Sequence, residues 1–330
     1  MNHEIDVIGV GNALVDVLSH ESDEFLRRHR LAKGTMQLID EARARALYDA
    51  MGPAIEISGG SAANTIVGVA SFGGRAHYVG KVCDDQLGEV FAHDLRSTGV
   101  GYDTPVATGG PATGRCLIMV TPDAQRTMNT FLGASVHLGP GDIDVDLIAR
   151  GRILYLEGYL FDPPQAQEAF RMAAGCARAA ERLVALTLSD PFCVDRHRGA
   201  FRALVDRYVD VLFANEAEIC SLYETDDFDA ALRQVRRQRG RISVLTRSAR
   251  GSVVVGGDEI HVIEAHPIGE LVDTTGAGDL YAAGFLFGLS RDFDLASCGR
   301  LGSLAAAEVI SHVGARPLTP LAELAGDLLG

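Results

Sequence analysis

The sequence has no C-x-x-C pair, no H-E-x-x-H helix motif and no G-x-x-x-x-G-K-[ST] loop. Its six cysteines (Cys83, Cys116, Cys176, Cys193, Cys220 and Cys298) are scattered, which fits reduced thiols in a cytoplasmic protein rather than a disulfide framework. Ten histidines, equally dispersed, argue against a protein-ligated zinc centre. The missing phosphate loop excludes a Walker-type NTPase, and only Lys33 and Lys81 could have served one. Positive charge is in deficit: 30 basic against 44 acidic residues leaves −14. No nucleic-acid partner is expected, because that needs a basic face. One phosphate-bearing ligand stays compatible, because a few backbone N–H groups can hold an anion. Residues 57–74 are uncharged but carry five glycines and three serines, so no membrane span is expected there. The opening Met-Asn-His-Glu carries no basic region followed by an apolar run, so no secretory leader is expected.

Glycine is abundant, 37 of 330 residues, about 11% against an average near 7%. Glycine serves where a backbone takes unusual dihedrals or approaches a ligand, although small-residue packing also uses it. A hydrophobic share of 47% with 22% charged suits a soluble globular enzyme. The length admits two domains or one large α/β domain.

Five apolar runs, Ile5–Val10, Arg152–Leu156, Leu183–Leu188, Val209–Ala214 and Ile242–Thr246, suit strands buried on both faces of a parallel sheet. Amphipathic stretches such as Gln165–Ala180 and Asp195–Tyr208 lie between them, and Thr275–Leu289 and Asp294–His312 read as closing helices. This alternation predicts a three-layer, doubly wound α/β fold whose ligands sit beyond the carboxyl ends of the strands. Two segments break the pattern. Residues 12–40 run strand, charged helix (Ser22–Leu31) and strand (Thr35–Ile39); residues 104–131 read as a hairpin, Gly114–Thr121 and Gln125–Phe131 around a Thr-Pro-Asp-Ala turn. Together they predict a small β lid inserted in a single domain.

The sharpest segment is Asp273-Thr274-Thr275-Gly276-Ala277-Gly278-Asp279, which opens an apolar helix. Free N–H groups at Gly276, Ala277 and Gly278 would face an anion, with the Asp279 carboxylate beside them, kept ionised by the helix dipole. That pairing suits phosphoryl transfer to an alcohol, the acid orienting the hydroxyl and accepting its proton. A glycine-rich turn capped by acids uses the same residues. In Gly59-Gly60-Ser61-Ala62-Ala63-Asn64, Asn64 offers a donor and an acceptor for a sugar hydroxyl, while small-residue packing suffices for the glycines and alanines. Asn12, Leu14 and Asp16 share one strand face and could hold a polyol, or could be a solvated face. Gly9-Val10-Gly11 lacks the third glycine of a dinucleotide fingerprint, since position 14 is Leu14. Asn215 and Glu218 form a capping-box pattern; the alternative puts Glu218 near a hydrated Mg²⁺. Arg126 on the hairpin could reach a phosphate or be one more surface charge. Gly59–Ala63 departs from G-x-S-x-G at its last position, so a hydrolase elbow has no support.

Taken together, Gly59–Asn64 with Gly80–Gly88 (GKVCDDQLG) and Asp273–Leu286 (DTTGAGDLYAAGFL) resemble the two signatures of the ribokinase-like, or PfkB, carbohydrate kinases. The resemblance runs from Val7 to about Gly314, and Val10–Leu18, Arg126–Ser135 and Gly158–Pro163 look like the adenosine kinase branch. It implies ATP as phosphoryl donor and Mg²⁺, with room for a monovalent cation, and a monomer or homodimer. Asp279 would be the catalytic base, with Gly276, Ala277 and Gly278 as the anion hole. Asp16, Gly60 and Asn64 would hold sugar hydroxyls, and Asn12, Leu14, Gln37 and Met128 would lie near a nucleobase. Asn215 and Glu218 match the family's N-x-x-E motif, tied to phosphate and to Mg²⁺ through water. Arg126 matches a lid arginine. Thr246, Gly251, Thr275 and Ser303 fall on the ATP side, although Ser248 stands where the family's T-x-G stretch has glycine. The expected reaction is phosphorylation of the 5′-hydroxyl of adenosine or a related nucleoside. A kinase of a free sugar such as ribose or a ketohexose shares every catalytic residue. A non-catalytic ligand sensor is disfavoured by the intact Asp279 loop, and a nicotinamide oxidoreductase by the broken fingerprint.

Overall fold

A computed structural model of the chain describes residues 4–123, 125–238 and 240–329. Nine strands form one sheet in the order Glu259–Ile263, Ser252–Gly256, Ile242–Thr246, Val211–Asn215, Leu183–Thr187, Gly151–Glu157, Ile5–Val10, Ala76–Val79 and Gly101–Tyr102. The seven from Ile242–Thr246 onward pair in parallel; the first two fold back as an antiparallel hairpin. Alternate residues of each strand point to opposite faces. Val7, Tyr155, Val211 and Phe213 join one apolar core with the helices Ser61–Ser71, Ala277–Ser290 and Leu295–Val309. Ile8, Val10, Leu156, Leu186 and Leu212 join another with Pro164–Ala179 and Pro191–Tyr208. The result is the three-layer α/β fold that the continuous apolar runs anticipate.

The five anticipated strands are present, with ends shifted by at most two residues. Pro191–Tyr208 starts earlier than its amphipathic pattern because Asp190 caps it and Pro191 fits the first helical position. The short run Ala76–Val79 and the Ser252–Ile263 hairpin carried too little periodicity to be read as strands. After the lid segment, the connection from Ile5–Val10 returns through the helix Ser61–Ser71 on one face, while that from Gly151–Glu157 runs through Pro164–Ala179 on the other. The crevice beyond the carboxyl ends of these two neighbours, at Gly11–Asn12 and Glu157–Gly158, is where such sheets bind ligands.

A second sheet of five strands stands over that crevice, in the order Met36–Leu38, Arg126–Phe131, Gly114–Val120, Leu14–His20 and Ala54–Gly59. Ala54–Gly59 belongs to it, an edge strand that the sequence pattern did not reveal. Ala124, in the turn read as Thr-Pro-Asp-Ala, lies outside the described residues. Val15, Val17, Leu117 and Met119 bury one face of this sheet, with Leu26 and Leu47 of the flanking helices in the same core. Among the described residues no helix is long and apolar enough to cross a membrane.

Candidate active site

Asp279 sits in the first turn of Ala277–Ser290, partly exposed at the crevice. Gly276 caps that helix at φ 79, and a Cβ there would lie 2.8 Å from the Ala315 side chain, so both backbone and space demand glycine. Nothing lies within 4 Å of a Cβ built on Gly278, which leaves that side of the turn open. Helices leave their first N–H groups without intrahelical partners. Asp273 fixes the loop before the turn. Its carboxylate accepts from the Thr275 amide (3.1 Å), the Thr275 hydroxyl (2.8 Å) and the Gly314 amide (3.0 Å).

The helix Ser61–Ser71 brings two donors to Asp279. Ser61 Oγ donates to one carboxylate oxygen at 2.6 Å, and Asn64 Nδ2 to the other at 3.0 Å. Burial pushes the Asp279 carboxyl above its usual range, and these two bonds and the Arg316 charge oppose that push. Ionisation of this acid therefore rests on specific partners, not on the helix dipole alone. Ser61 gave no separate signal in the sequence, where it is one small residue within Gly59–Asn64. Gly60, at φ 102, turns the chain into this helix, and a Cβ there would lie 2.2 Å from the Asn12 carbonyl oxygen. Asn64 Oδ1 is buried with no partner among the described residues.

Asp16 enters from the lid. Directly paired residues share a face of a sheet, so the register sorts the lid residues. Asp16, Cys116, Thr130 and Leu38 form one row; Leu18, Ile118, Met128 and Met36 form the next; Val120 and Arg126 lie beyond. Burial raises the Asp16 carboxyl to about 6, against the Arg316 and Arg126 charges and with the Asp279 charge. Arg126 forms an ion pair with Asp273 at 2.5 Å and donates to the Thr275 hydroxyl at 3.0 Å. Its Nε and Nη2 are buried without a partner among the described residues.

Three expected ligand contacts do not fit this geometry. Gln37 pairs with Asn129, whose other partner is Leu117, so it lies on the lid face opposite Asp16 and donates to Asn129 at 2.6 Å. Met36 and Leu38, with one-residue different parity, face the crevice side instead. Asn12 is 2% exposed; its Nδ2 donates to Glu157 at 2.8 Å and its Oδ1 accepts from Ser135 at 2.9 Å, which makes it a brace. The Ser303 hydroxyl is occupied, donating to the Glu264 carbonyl (3.0 Å) and accepting from the His266 amide (2.8 Å). Leu14, nearly buried, lies at the inner end of the Asp16 face.

Glu157, which sequence reasoning also missed, accepts from the Asn12 side chain and from the Ala62 amide at 2.8 Å. It thereby ties the end of the central sheet to the helix carrying Ser61 and Asn64. Burial lifts its carboxyl to about 7. On the other side of Asp279, Asn215 and Glu218 close their capping box: Glu218 accepts from the Asn215 amide (2.9 Å) and side chain (2.6 Å). Burial, with the Asp190 and Asp279 charges, raises Glu218 to about 7. A nearby cation would relieve that clustering of acids. Thr246 pairs with Asn215 at the strand ends, and Ser248 adopts φ 51, the left-handed conformation that glycine takes more readily. A Cβ on Gly251 would lie 2.0 Å from the Ile263 carbonyl, so that glycine shapes the turn. A groove of about 1010 Å³ runs past Asn215 and Thr246 to Arg198 and Arg250 without reaching Asp279, so volume does not locate the chemistry.

Residues 56–322 match the family described as pfkB family carbohydrate kinase. The chain is similar to a solved structure of adenosine kinase from Sinorhizobium meliloti, 51% identical, TM-score 0.89, covering 98% of this chain and 99% of that one. A probable sugar kinase protein from Rhizobium etli CFN 42 is 48% identical, TM-score 0.90, with 99% of each chain covered. A 5-dehydro-2-deoxygluconokinase from Geobacillus kaustophilus is 27% identical over 318 residues, 93% of this chain and 88% of that protein.

Proposed function

Because the chain belongs to the pfkB family of carbohydrate kinases, phosphotransferases that act on hydroxyl groups, we propose that it transfers the γ-phosphoryl group of ATP to the 5′-hydroxyl of adenosine or a related nucleoside. The observation that carries this reading is the change in character along the lid. The Asp16 row carries the acid and the Thr130 hydroxyl on either side of Cys116, while the next row, Leu18, Ile118, Met128 and Met36, is apolar throughout. A ribose held by Asp16 and by the unpartnered Asn64 Oδ1 would set its base against the apolar row. A free sugar would leave Met36, which is exposed, and the half-buried Leu18 and Met128 uncovered.

The chemistry follows from the site. Asp16 and Asn64 hold the ribose hydroxyls and fix the 5′-oxygen near Asp279. Asp279 accepts the proton as that oxygen attacks the γ-phosphorus. The bond from phosphorus to the bridging oxygen breaks, and ADP leaves with that oxygen. Amides of the Gly276–Gly278 turn stabilise charge on the equatorial oxygens, where preorganised donors are most effective. The unpartnered Nε and Nη2 of Arg126 provide further donors from the lid, and lid closure keeps out water, a competing acceptor. Asn215, Thr246, Gly251 and Thr275 shape the ATP side. Glu218, acting through water, would hold the Mg²⁺ that accompanies ATP, and that ion would supply neutralisation of phosphate charge.

The second reading is a kinase of a free sugar or sugar acid, favoured by the similarity to the Geobacillus protein. Competition among adenosine, inosine, guanosine, ribose, fructose and 5-dehydro-2-deoxygluconate, read by ADP release, separates the two. The expected preference is for adenosine; a far higher kcat/KM with any of the three non-nucleosides overturns the nucleoside assignment.

A further inference from the structure

Arg316 belongs to no motif singled out in the sequence. It lies after the long helix Leu295–Val309, and its guanidinium reaches under the crevice. Nε and Nη2 donate to the Ser58 carbonyl at 3.2 and 2.7 Å, Nη2 also to Ser58 Oγ at 2.9 Å, and Nη1 to the Ala63 carbonyl at 2.9 Å. All four contacts are to neutral oxygens, so among the described residues the cation is held without a direct ion pair. Its charge faces Asp94, Asp16 and Asp279, and the Tyr78 phenol. Asp94 is linked to it through Ser58, whose amide (2.8 Å) and hydroxyl (2.5 Å) both donate to Asp94. The other two carboxylates belong to the active site.

The anchor points matter as much as the charge. Ser58 and Ala63 bracket the turn that contains Gly59 and Gly60, against Asp16 and Asn12, and Ser61, which donates to Asp279; Asn64 follows. A single guanidinium therefore ties the last lid strand to the first turn of the next helix. We propose that Arg316 is a positioning residue: it locks the Ser58–Asn64 turn and places a buried positive charge beside Asp16 and Asp279. The proposal rests on the reading of Asp279 as general base.

The other groups around these acids push differently. Burial acts first on Asp279 and raises it; Ser61 and Asn64 lower it through hydrogen bonds, and Arg316 lowers it by charge. Its remaining titratable neighbours are Asp16 from the lid, Tyr155, Glu157 and Tyr159 from the Gly151–Phe161 segment, and Glu218, none of which is a cation. Around Asp16, burial is again the largest influence; Arg316 comes before Arg126 among the lowering charges, and Asp279 and the Cys116 thiol face it as well. Removing the Arg316 charge therefore moves both carboxyls upward, and the acid limb of the activity profile with them.

The test is a pH profile of kcat and of KM for adenosine, with melting temperature recorded alongside. Arg316→Gln keeps an amide donor toward Ser58 and loses the charge; Arg316→Lys keeps the charge. The expected result is an acid limb displaced upward by about half a pH unit or more in R316Q, in KM through Asp16 and in kcat through Asp279, and restored in R316K. A purely structural role lowers the melting temperature and activity at every pH and leaves the limb in place, which overturns the proposal. Should R316Q be too unstable to assay, R316K decides, because lysine keeps the charge but not the forked bonds to Ser58 and Ala63. An unmoved limb with lowered activity is expected, and a displaced limb overturns the role of the charge. Asp279→Asn separates the two levels: retained turnover overturns the general-base reading itself, while an inactive D279N with an unmoved limb in R316Q overturns only the role of Arg316.

Discussion

Replacing Gly59 by alanine tests the crevice without touching a reactive group. A Cβ built on Gly59 lies 2.5 Å from Asp16 Cγ and 2.5 and 2.6 Å from its two oxygens. Ordinary contact begins near 3.4 Å, so the Asp16 carboxylate must move by about 1 Å. Gly59 lies in a lid strand without a positive φ, so alanine brings no backbone strain, and the displaced atoms end a rotatable side chain. The fold should absorb the change, and melting temperature should fall little. A misplacement of about 1 Å at a positioning group costs on the order of 10²-fold in kcat/KM, which is about 2.7 kcal/mol of transition-state binding. Steady-state kinetics with adenosine varied, for G59A, D16N and the double variant, reads this out. Because both single changes disable one carboxylate, the double variant should be scarcely worse than D16N, a strongly non-additive cycle. G59A within about threefold of wild type, or additive losses in the cycle, would refute the reasoning.

Three further expectations concern stability. Glu157 titrates near 4.5 in the unfolded chain and about 7 in the fold, so between these values the folded protein holds the extra proton. Its contribution to stability is therefore lost as pH rises from 4.5 through 7, by about 3 kcal/mol at most. Glu157→Gln removes this titration, so melting temperatures at about pH 5 and about pH 8 should show the variant gaining on wild type at the higher pH, and an equal difference at both would refute it. Gly284→Ala would set a Cβ 2.4 Å from the Leu301 carbonyl oxygen, 2.5 Å from Leu301 C and 2.7 Å from Gly302 N, all backbone of the neighbouring helix. Overpacking there should cost about 1–3 kcal/mol or more and lower the melting temperature by several degrees. In the helix Pro164–Ala179, Gly175→Ala meets nothing within 4 Å and should raise stability by roughly 0.5–1 kcal/mol, so thermal melts of the two variants must move in opposite directions.

What the residues alone determined is local. The Gly276–Asp279 turn opens a helix because its glycines and acid act within one turn of backbone. The Asn215–Glu218 capping box closes over three residues, and the parallel strands follow from apolar runs that neither face of the sheet exposes. What the tertiary structure decided is which distant groups meet and which way each strand faces. Ser61 and Asn64 reach Asp279 across 218 and 215 residues, and Asn12 is turned inward by Glu157, 145 residues away. Gln37 and Met36 are adjacent in sequence, yet strand pairing sends them to opposite faces of the lid, because the side-chain period is two and only the partner strand fixes its phase. Arg316 had no signal at all, since a lone arginine among many acquires its meaning only from the two carbonyls and the two site carboxylates that the fold gathers around it.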